Sequence, residues 1–306
     1  MKRIYFNVEN DGFYGAYYPY SEKADHAFIV MIGDDVDDLL CKKAVKWLRK
    51  RGYNCMAMAP AKKDYGHHNY PLERFEKAIA YLKKQGNVKI GIVGGSTTAM
   101  LALIAASYYS DITMTFAFTP SDFVMEGFYQ DGKDGMKERP GDGESTVSYH
   151  GKPVTYFPFA YRHPEYWQKI MEETKGTGNM LCSVQMFEES ERRHPLQEEE
   201  KIKVENIKGH VLMVGAKDDT LWNAYKYVKR MDERLKALPH ECTYEALTYE
   251  YGTHFVFPQS MVKMILPFGS RFVLGLCFKS AKEHPLECEN TRIDLDKKVE
   301  SALEKW

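Results

Sequence analysis

The chain has 306 residues, 44% hydrophobic and 28% charged, so it is long enough to bury a large core and ordinary in composition for a folded protein in water. A net charge of -1 and a pI near 6.8, with bases interspersed among acids, exclude the electrostatic footprint of a nucleic-acid binder. Six scattered cysteines form no C-x-x-C pair or zinc spacing, no run of about 18 apolar residues offers a membrane span, and the first residues turn polar by Asn7 without a signal-like apolar stretch. These features together lead us to expect a cytoplasmic protein with no membrane partner.

In chain order, Ile4 to Val8 and Phe13 to Tyr20 read as a hairpin turned at Asn10-Asp11-Gly12. Ala27 to Ile32 is a continuous apolar run ended by Gly33, which suits a strand buried on both faces. Leu39, Leu40, Ala44, Val45 and Leu48 recur at helical spacing up to Gly52. A short strand from Asn54 to Ala59 stops at Pro60. Leu72, Phe75, Ala78, Ile79 and Leu82 then mark a second amphipathic helix ending near Gly86. Val88 to Val93 is the next strand, Ala99 to Tyr108 an apolar helix, and Thr113 to Phe118 another strand. Strands joined by helices of this length predict right-handed crossovers and a mostly parallel sheet.

The alternation breaks at Thr119-Pro120 and resumes with a strand from His210 to Val214. A helix from about Leu221 to Leu238, a strand from Thr243 to Leu247 and a last helix from about Arg292 to Lys305 complete it. The simplest organisation is one domain over residues 1–306. Residues 121–205 then form a lid-like insertion over the carboxyl edge of the sheet, where α/β proteins bind ligands.

Val88 to Thr98 is the stretch that points to chemistry, because a buried strand runs through Gly94 and Gly95 straight into Ser96. A nucleophile elbow has this form: the sharp turn between strand and helix tolerates little bulk and exposes the serine hydroxyl. The last place of the G-x-S-x-G pattern holds Thr98 instead of glycine. A serine hydroxyl needs a histidine base and a carboxylate to orient that base, and on such a sheet they follow in the order serine, acid, histidine. Asp218 and Asp219 lie just past the strand His210 to Val214, and His254 lies in the loop after Thr243 to Leu247. The residues alone leave Asp218 and Asp219 as alternatives. One of the pair is expected to cap the helix opening at Thr220 and Leu221.

The oxyanion hole is expected to use the amide of Thr97 and one near Gly33 and Asp34. A carboxylate aimed at an oxyanion would oppose catalysis, so Asp34, Asp35, Asp37 and Asp38 are expected to point away or to cap the next helix. His67-His68 is expected in a solvated loop, and Glu188, Glu189, Glu191 and Glu198 to Glu200 on a solvated helix face. The aromatics of the insertion, among them Phe123, Phe128, Tyr156 and Phe157, make either an apolar acyl pocket or a lid packed on the body. Lys133, Lys137, Arg139 and Lys152 could meet phosphates or be ordinary loop charges. No residue pattern calls for a cofactor or a metal.

Dispersed motifs extend this reading. Pro71 to Ile79, the elbow, Pro120-Ser121 followed by Glu126-Gly127-Phe128, Gly151-Lys152-Pro153 with Phe157-Pro158-Phe159, Asp218 to Trp222, and Gly252-Thr253-His254 occur in that order. Together they resemble the carboxyl-terminal catalytic domain of acyl-CoA thioesterases and bile acid-CoA:amino acid N-acyltransferases, from about residue 25 to the end. The resemblance implies an α/β-hydrolase fold, with helices on both faces of a mostly parallel sheet. It also implies an acyl ester or acyl-CoA as the small-molecule partner, and Asp219 rather than Asp218 as the acid. The family tends to have glycine where Thr98 stands, and its animal members carry an additional amino-terminal β-sandwich. The acyltransferase branch uses a cysteine nucleophile, so Ser96 favours transfer to water. The expected activity is therefore a serine hydrolase of thioesters or esters. The alternatives are an acyltransferase to an amine and a non-catalytic binding protein on the same scaffold.

Overall fold

The apolar runs read from the sequence pair into an eight-stranded sheet. The computed structural model describes residues 3–21, 24–33, 35–60, 67–128, 141–162 and 165–306. Its strands are β1 (Ile4–Phe6), β2 (Gly15–Tyr18), β3 (His26–Met31), β4 (Asn54–Met58), β5 (Tyr70–Pro71), β6 (Lys89–Gly95), β7 (Ile112–Phe118), β8 (Val147–Tyr149), β9 (Lys152–Pro153), β10 (His210–Ala216) and β11 (Thr243–Tyr249). The large sheet runs β1-β2-β4-β3-β6-β7-β10-β11, and β5-β8-β9 form a small separate one. From β4 to β11 every neighbour in the large sheet is parallel, and only β1 and β2 are antiparallel. The expected α/β-hydrolase architecture is therefore present.

Helices cover both faces because each strand of the middle of the sheet is apolar on both sides. On one face Phe75, Met100 and Tyr227 anchor helices Glu73–Lys84, Thr97–Tyr108 and Ala224–Ala237, and the insertion's aromatics join the same core. On the other face Trp47, Met261 and Leu295 anchor helices Leu39–Arg49, Gln259–Ile265 and Pro285–Lys305. Helix Thr97–Tyr108 is apolar all round, and it is buried from Thr97 to Ala106 between sheet and insertion.

Several elements differ from the sequence reading. The amino-terminal strands do pair as a hairpin, but Val8–Asp11 makes a helical turn between them, capped by the Asn7 side chain and closed by Gly12 at φ 76°. The last helix begins at Pro285 rather than near Arg292, because Cys288 and Thr291 continue its buried stripe toward the amino end. Helices Gln259–Ile265, Ser270–Cys277 and Lys279–Glu283 were not read from the sequence; each is short and lacks a long apolar period. Among the described residues no single helix is long and apolar enough to cross a membrane.

The insertion contains β8, β9 and helices Glu165–Thr174 and Val184–Arg193. Its base is pinned to helix Ala224–Ala237. Arg230 donates two 2.6 Å bonds to Asp122 and one of 2.9 Å to Glu191, while Arg234 grips Glu205 and Glu198. The acidic run is accordingly not a solvated face throughout. Glu191 is half-buried against Arg230 and Lys226, and Glu200 is buried where its side chain closes a capping box with Gln197.

Candidate active site

Strand β6 delivers Ser96 to the carboxyl edge of the sheet with φ 61° and ψ -131°, a backbone conformation that a residue with a side chain adopts only where its surroundings impose it. Those surroundings are specific. A Cβ on Gly94 would stand 2.2 Å from the carbonyl oxygen of Thr98, and one on Gly95 would stand 2.8 Å from the Phe257 ring. Only glycines let the helix and Phe257 approach the turn so closely. The Ser96 amide donates to Phe118 O at 2.9 Å, which ties the turn to the end of β7. Thr97 is the first residue of the helix, so its amide is one of those that have no acceptor within the helix.

Ser96, Asp219 and His254 converge although they are far apart in sequence. His254 Nε2 lies 2.8 Å from Ser96 Oγ, and His254 Nδ1 lies 2.8 Å and 3.0 Å from the two oxygens of Asp219. A carboxylate only accepts, so Nδ1 carries the proton there and Nε2 is left to accept from the serine. The Asp219 side chain is inaccessible to solvent and that of His254 nearly so. Asp219 Oδ1 also accepts from Leu221 N at 2.9 Å, which fixes the carboxylate plane. The expected helix cap on this segment is instead Asn223, whose side chain accepts from Lys226 N, and the helix starts at Ala224.

The sequence reading offered Asp218 only as the alternative acid or as that cap. In the fold its Oδ1 accepts from the Gly252 and Thr253 amides at 2.9 Å and 2.7 Å, and its Oδ2 accepts from Ser280 Oγ at 2.5 Å. It thereby clamps the two residues before His254, of which Thr253 has φ 62°. Burial pushes the Asp218 carboxyl above the usual range, and the Ser280 and backbone donors oppose that shift. Trp222 is the other residue whose part was missed. Its ring meets the His254 imidazole edge-on at 4.9 Å, and its Nε1 donates to Thr119 O at 3.1 Å. From Trp222 a row of rings continues through Phe187 and Phe159 to Tyr166 in the insertion. Ser183 and Leu181 hydrogen-bond the Thr220-Leu221 segment directly beside Asp219.

Of the other predicted site residues, Gly33 follows β3 with φ 88°, and Asp34 lies outside the described residues. The acids after it turn on one another, Asp38 with its carboxylate packed beside Gly33 and Asp37 facing outward. Asp38 Oδ2 accepts from the Asp35 amide at 2.8 Å, Asp35 Oδ1 accepts from the Asp37 amide at 2.8 Å, and Asp37 pairs with Arg3 and Lys42 at 3.1 Å. Capping of the next helix was the other expectation. Asp38 occupies its N-cap position but makes no side-chain cap bond, because the carboxylate is already committed to Asp35. Tyr14, which donates to Asp35, is pushed up to about 12 by burial and then by that carboxylate.

Phe123 and Phe157 are fully buried and pack on each other in a tilted pair with ring centroids 4.6 Å apart, with Tyr227 against Phe123. Phe128 is buried as well, and Tyr156 is partly exposed where it packs on this cluster. His67, expected in a solvated loop, is buried. Its backbone pairs with Phe128 and its ring stacks on the Phe128 ring at 4.8 Å, so burial lowers its pKa to about 3. Lys152 is exposed in β9, and Lys133, Lys137 and Arg139 lie outside the described residues. Among the described residues no group of three His, Cys, Asp or Glu side chains is placed to hold a metal ion.

Residues 70–265 match the family described as BAAT / acyl-CoA thioester hydrolase C terminal. The chain belongs to this family. The match takes in the elbow, both aspartates, the insertion and the loop of His254. Membership makes the chain an esterase- or thioesterase-type α/β hydrolase. Solved structures similar to it include the Pyrococcus furiosus esterase Pf2001, with 13% identity over 90% of this chain and 88% of that one at a TM-score of 0.48. Est1E from Butyrivibrio proteoclasticus has 13% identity over 90% and 99% at a TM-score of 0.45. Acetyl xylan esterase 1 from Thermoanaerobacterium has 15% identity over 84% and 80% at a TM-score of 0.44. No curated protein matches the chain.

Proposed function

We propose that this member of the family is a serine hydrolase that cleaves a thioester or ester through an acyl-enzyme. Ser96 is the nucleophile, His254 the general base and then acid, and Asp219 the group that holds the imidazole. The observation that carries the reading is the unbroken line Asp219–His254–Ser96 with 2.8 Å at each link. His254 Nε2 removes the hydroxyl proton as Ser96 Oγ bonds to the acyl carbon, and the same proton passes to the departing thiolate or alkoxide. Water then attacks the acyl-serine with His254 again as base. The Thr97 amide and the Gly33-Asp34 loop stabilise each oxyanion.

The domain reading is a single unit over 1–306, with 121–205 as an insertion closing the carboxyl edge of the sheet. Tyr156 offers the apolar side of the acyl site, with Phe123, Phe128 and Phe157 packed as its support. All six cysteines are free thiols, which supports a reducing, cytoplasmic setting.

A fluorophosphonate probe should label the wild-type protein, and Ser96→Ala should abolish both labelling and turnover. Labelling of Ser96→Ala at another residue would overturn the assignment. A panel of acyl-CoA chain lengths beside p-nitrophenyl esters, each with and without an amine acceptor, identifies the leaving group and the acceptor.

A further inference from the structure

We propose that the Thr98 hydroxyl is a positioning group that sets the spacing between the turn carrying Ser96 and the loop after β3, which together supply the oxyanion donors. This role rests on the reading of Ser96 as the nucleophile. Thr98 stands where the elbow pattern has glycine, yet the close approach of helix to strand is made over Gly94, next to the Thr98 carbonyl. The Thr98 side chain is thus turned away from that contact. It is buried, and its hydroxyl reaches the ends of two strands at once. Oγ1 accepts from the Gly95 amide at 3.1 Å and donates to the Met31 carbonyl, with Gly95 O at 2.7 Å beside it.

The place of these bonds gives them their significance. Met31 and Gly94 are the last pair in the parallel register of β3 and β6, so beyond them no ladder pair holds the two chains together. Two residues after Met31 comes Gly33, and two residues after Gly95 comes Thr97. One hydroxyl therefore bridges the strand ends immediately upstream of both sets of oxyanion donors. Glycine at this position could not make the bridge, and valine would fill the same space without it.

The test compares Thr98→Val, Thr98→Ser and Thr98→Ala in the full chain, reading kcat, KM, fluorophosphonate labelling rate and melting temperature. Mispositioning of a reacting group by about 1 Å costs up to about 100-fold in rate. Thr98→Val and Thr98→Ala should lower kcat and labelling rate in parallel by about 10- to 100-fold, with KM held within about twofold. Thr98→Ser, which keeps the hydroxyl, should restore kcat to within about threefold. A merely structural threonine would move the melting temperature and leave the folded fraction's kcat unchanged. The proposal is overturned if Thr98→Val and Thr98→Ala both keep wild-type kcat, or if Thr98→Ser loses as much kcat as they do. If Ser96→Ala keeps its turnover, the nucleophile reading fails and this role with it. If Ser96→Ala is dead and Thr98→Val is not, only the positioning role fails.

Discussion

Two adjacent aspartates, each replaced by asparagine, should give opposite results, and the hydrogen bonds say why. Asp219 Oδ1 accepts from Leu221 N, so the asparagine carbonyl of Asp219→Asn stays at that position and its amide NH2 takes the place of Oδ2, 2.8 Å from His254 Nδ1. A donor then faces the nitrogen that carried the proton. The imidazole relieves the clash by moving its proton to Nε2, which puts N–H rather than a lone pair against Ser96 Oγ. The base is lost while the shape of the site is kept, and the loss in kcat should be about 10⁴-fold, or about 5 kcal/mol of barrier. In Asp218→Asn the carbonyl keeps the Gly252 and Thr253 amides, and the new NH2 meets Ser280 Oγ, a hydroxyl that rotates to accept. Its kcat should stay within about threefold. Steady-state hydrolysis of a p-nitrophenyl ester, together with labelling rates and a thermal melt, measures both variants. The reasoning is refuted if Asp219→Asn keeps more than about a tenth of wild-type kcat, or if Asp218→Asn falls as far as Asp219→Asn with its melt unchanged.

Buried ionisable groups give further predictions. His67 is held near a pKa of about 3 in the fold against 6.5 when exposed, so acid protonates the unfolded chain first. Its contribution to stability is complete above pH 6.5 and is lost as pH falls toward 3, at about 1.4 kcal/mol per pH unit. His67→Phe should flatten urea-unfolding stability over that range, and equal slopes for the two proteins would contradict the burial argument. Asp218 has the opposite sign: its folded pKa is raised, so its contribution falls as pH rises above the ordinary carboxylate value, and Asp218→Asn should remove that slope. Arg230→Leu leaves the buried Asp122 without its guanidinium and should cost about 3–5 kcal/mol. Adding Asp122→Asn should recover part of that loss in a thermal melt; no recovery would place the damage elsewhere.

The parts of this protein that were legible in its sequence are those whose pattern is local. The parallel strands β3, β4, β6 and β7 and the helices between them announce themselves through unbroken apolar runs and helical periodicity. The insertion does not, because β8 and β9 have only three and two residues and their small sheet is completed by β5 from far upstream, as where Tyr70 pairs with Val147. His67 shows the same effect on one residue. Its polar neighbours suggest solvent, and only the pairing with Phe128 buries it. The candidate site was legible as an ordered set, serine then acid then histidine after successive strands. The residues alone did not divide the labour between Asp218 and Asp219, since both follow β10 and no spacing rule separates neighbours; the family resemblance pointed to Asp219, and the clamp made by Asp218 was not legible.

By itself, then, the sequence determined the layered α/β architecture, the strand that carries Ser96 and the loops that carry Asp219 and His254. Hydrophobic periodicity and glycine placement act over a few residues and survive in any tertiary context. Tertiary structure alone decided that Asp218 clamps the loop before His254. It also decided how the insertion is anchored through Arg230 and where the Thr98 hydroxyl ends. Those outcomes depend on directions of single hydrogen bonds between segments up to about 160 residues apart, as between Ser96 and His254, and such directions exist only once the sheet has brought the segments together.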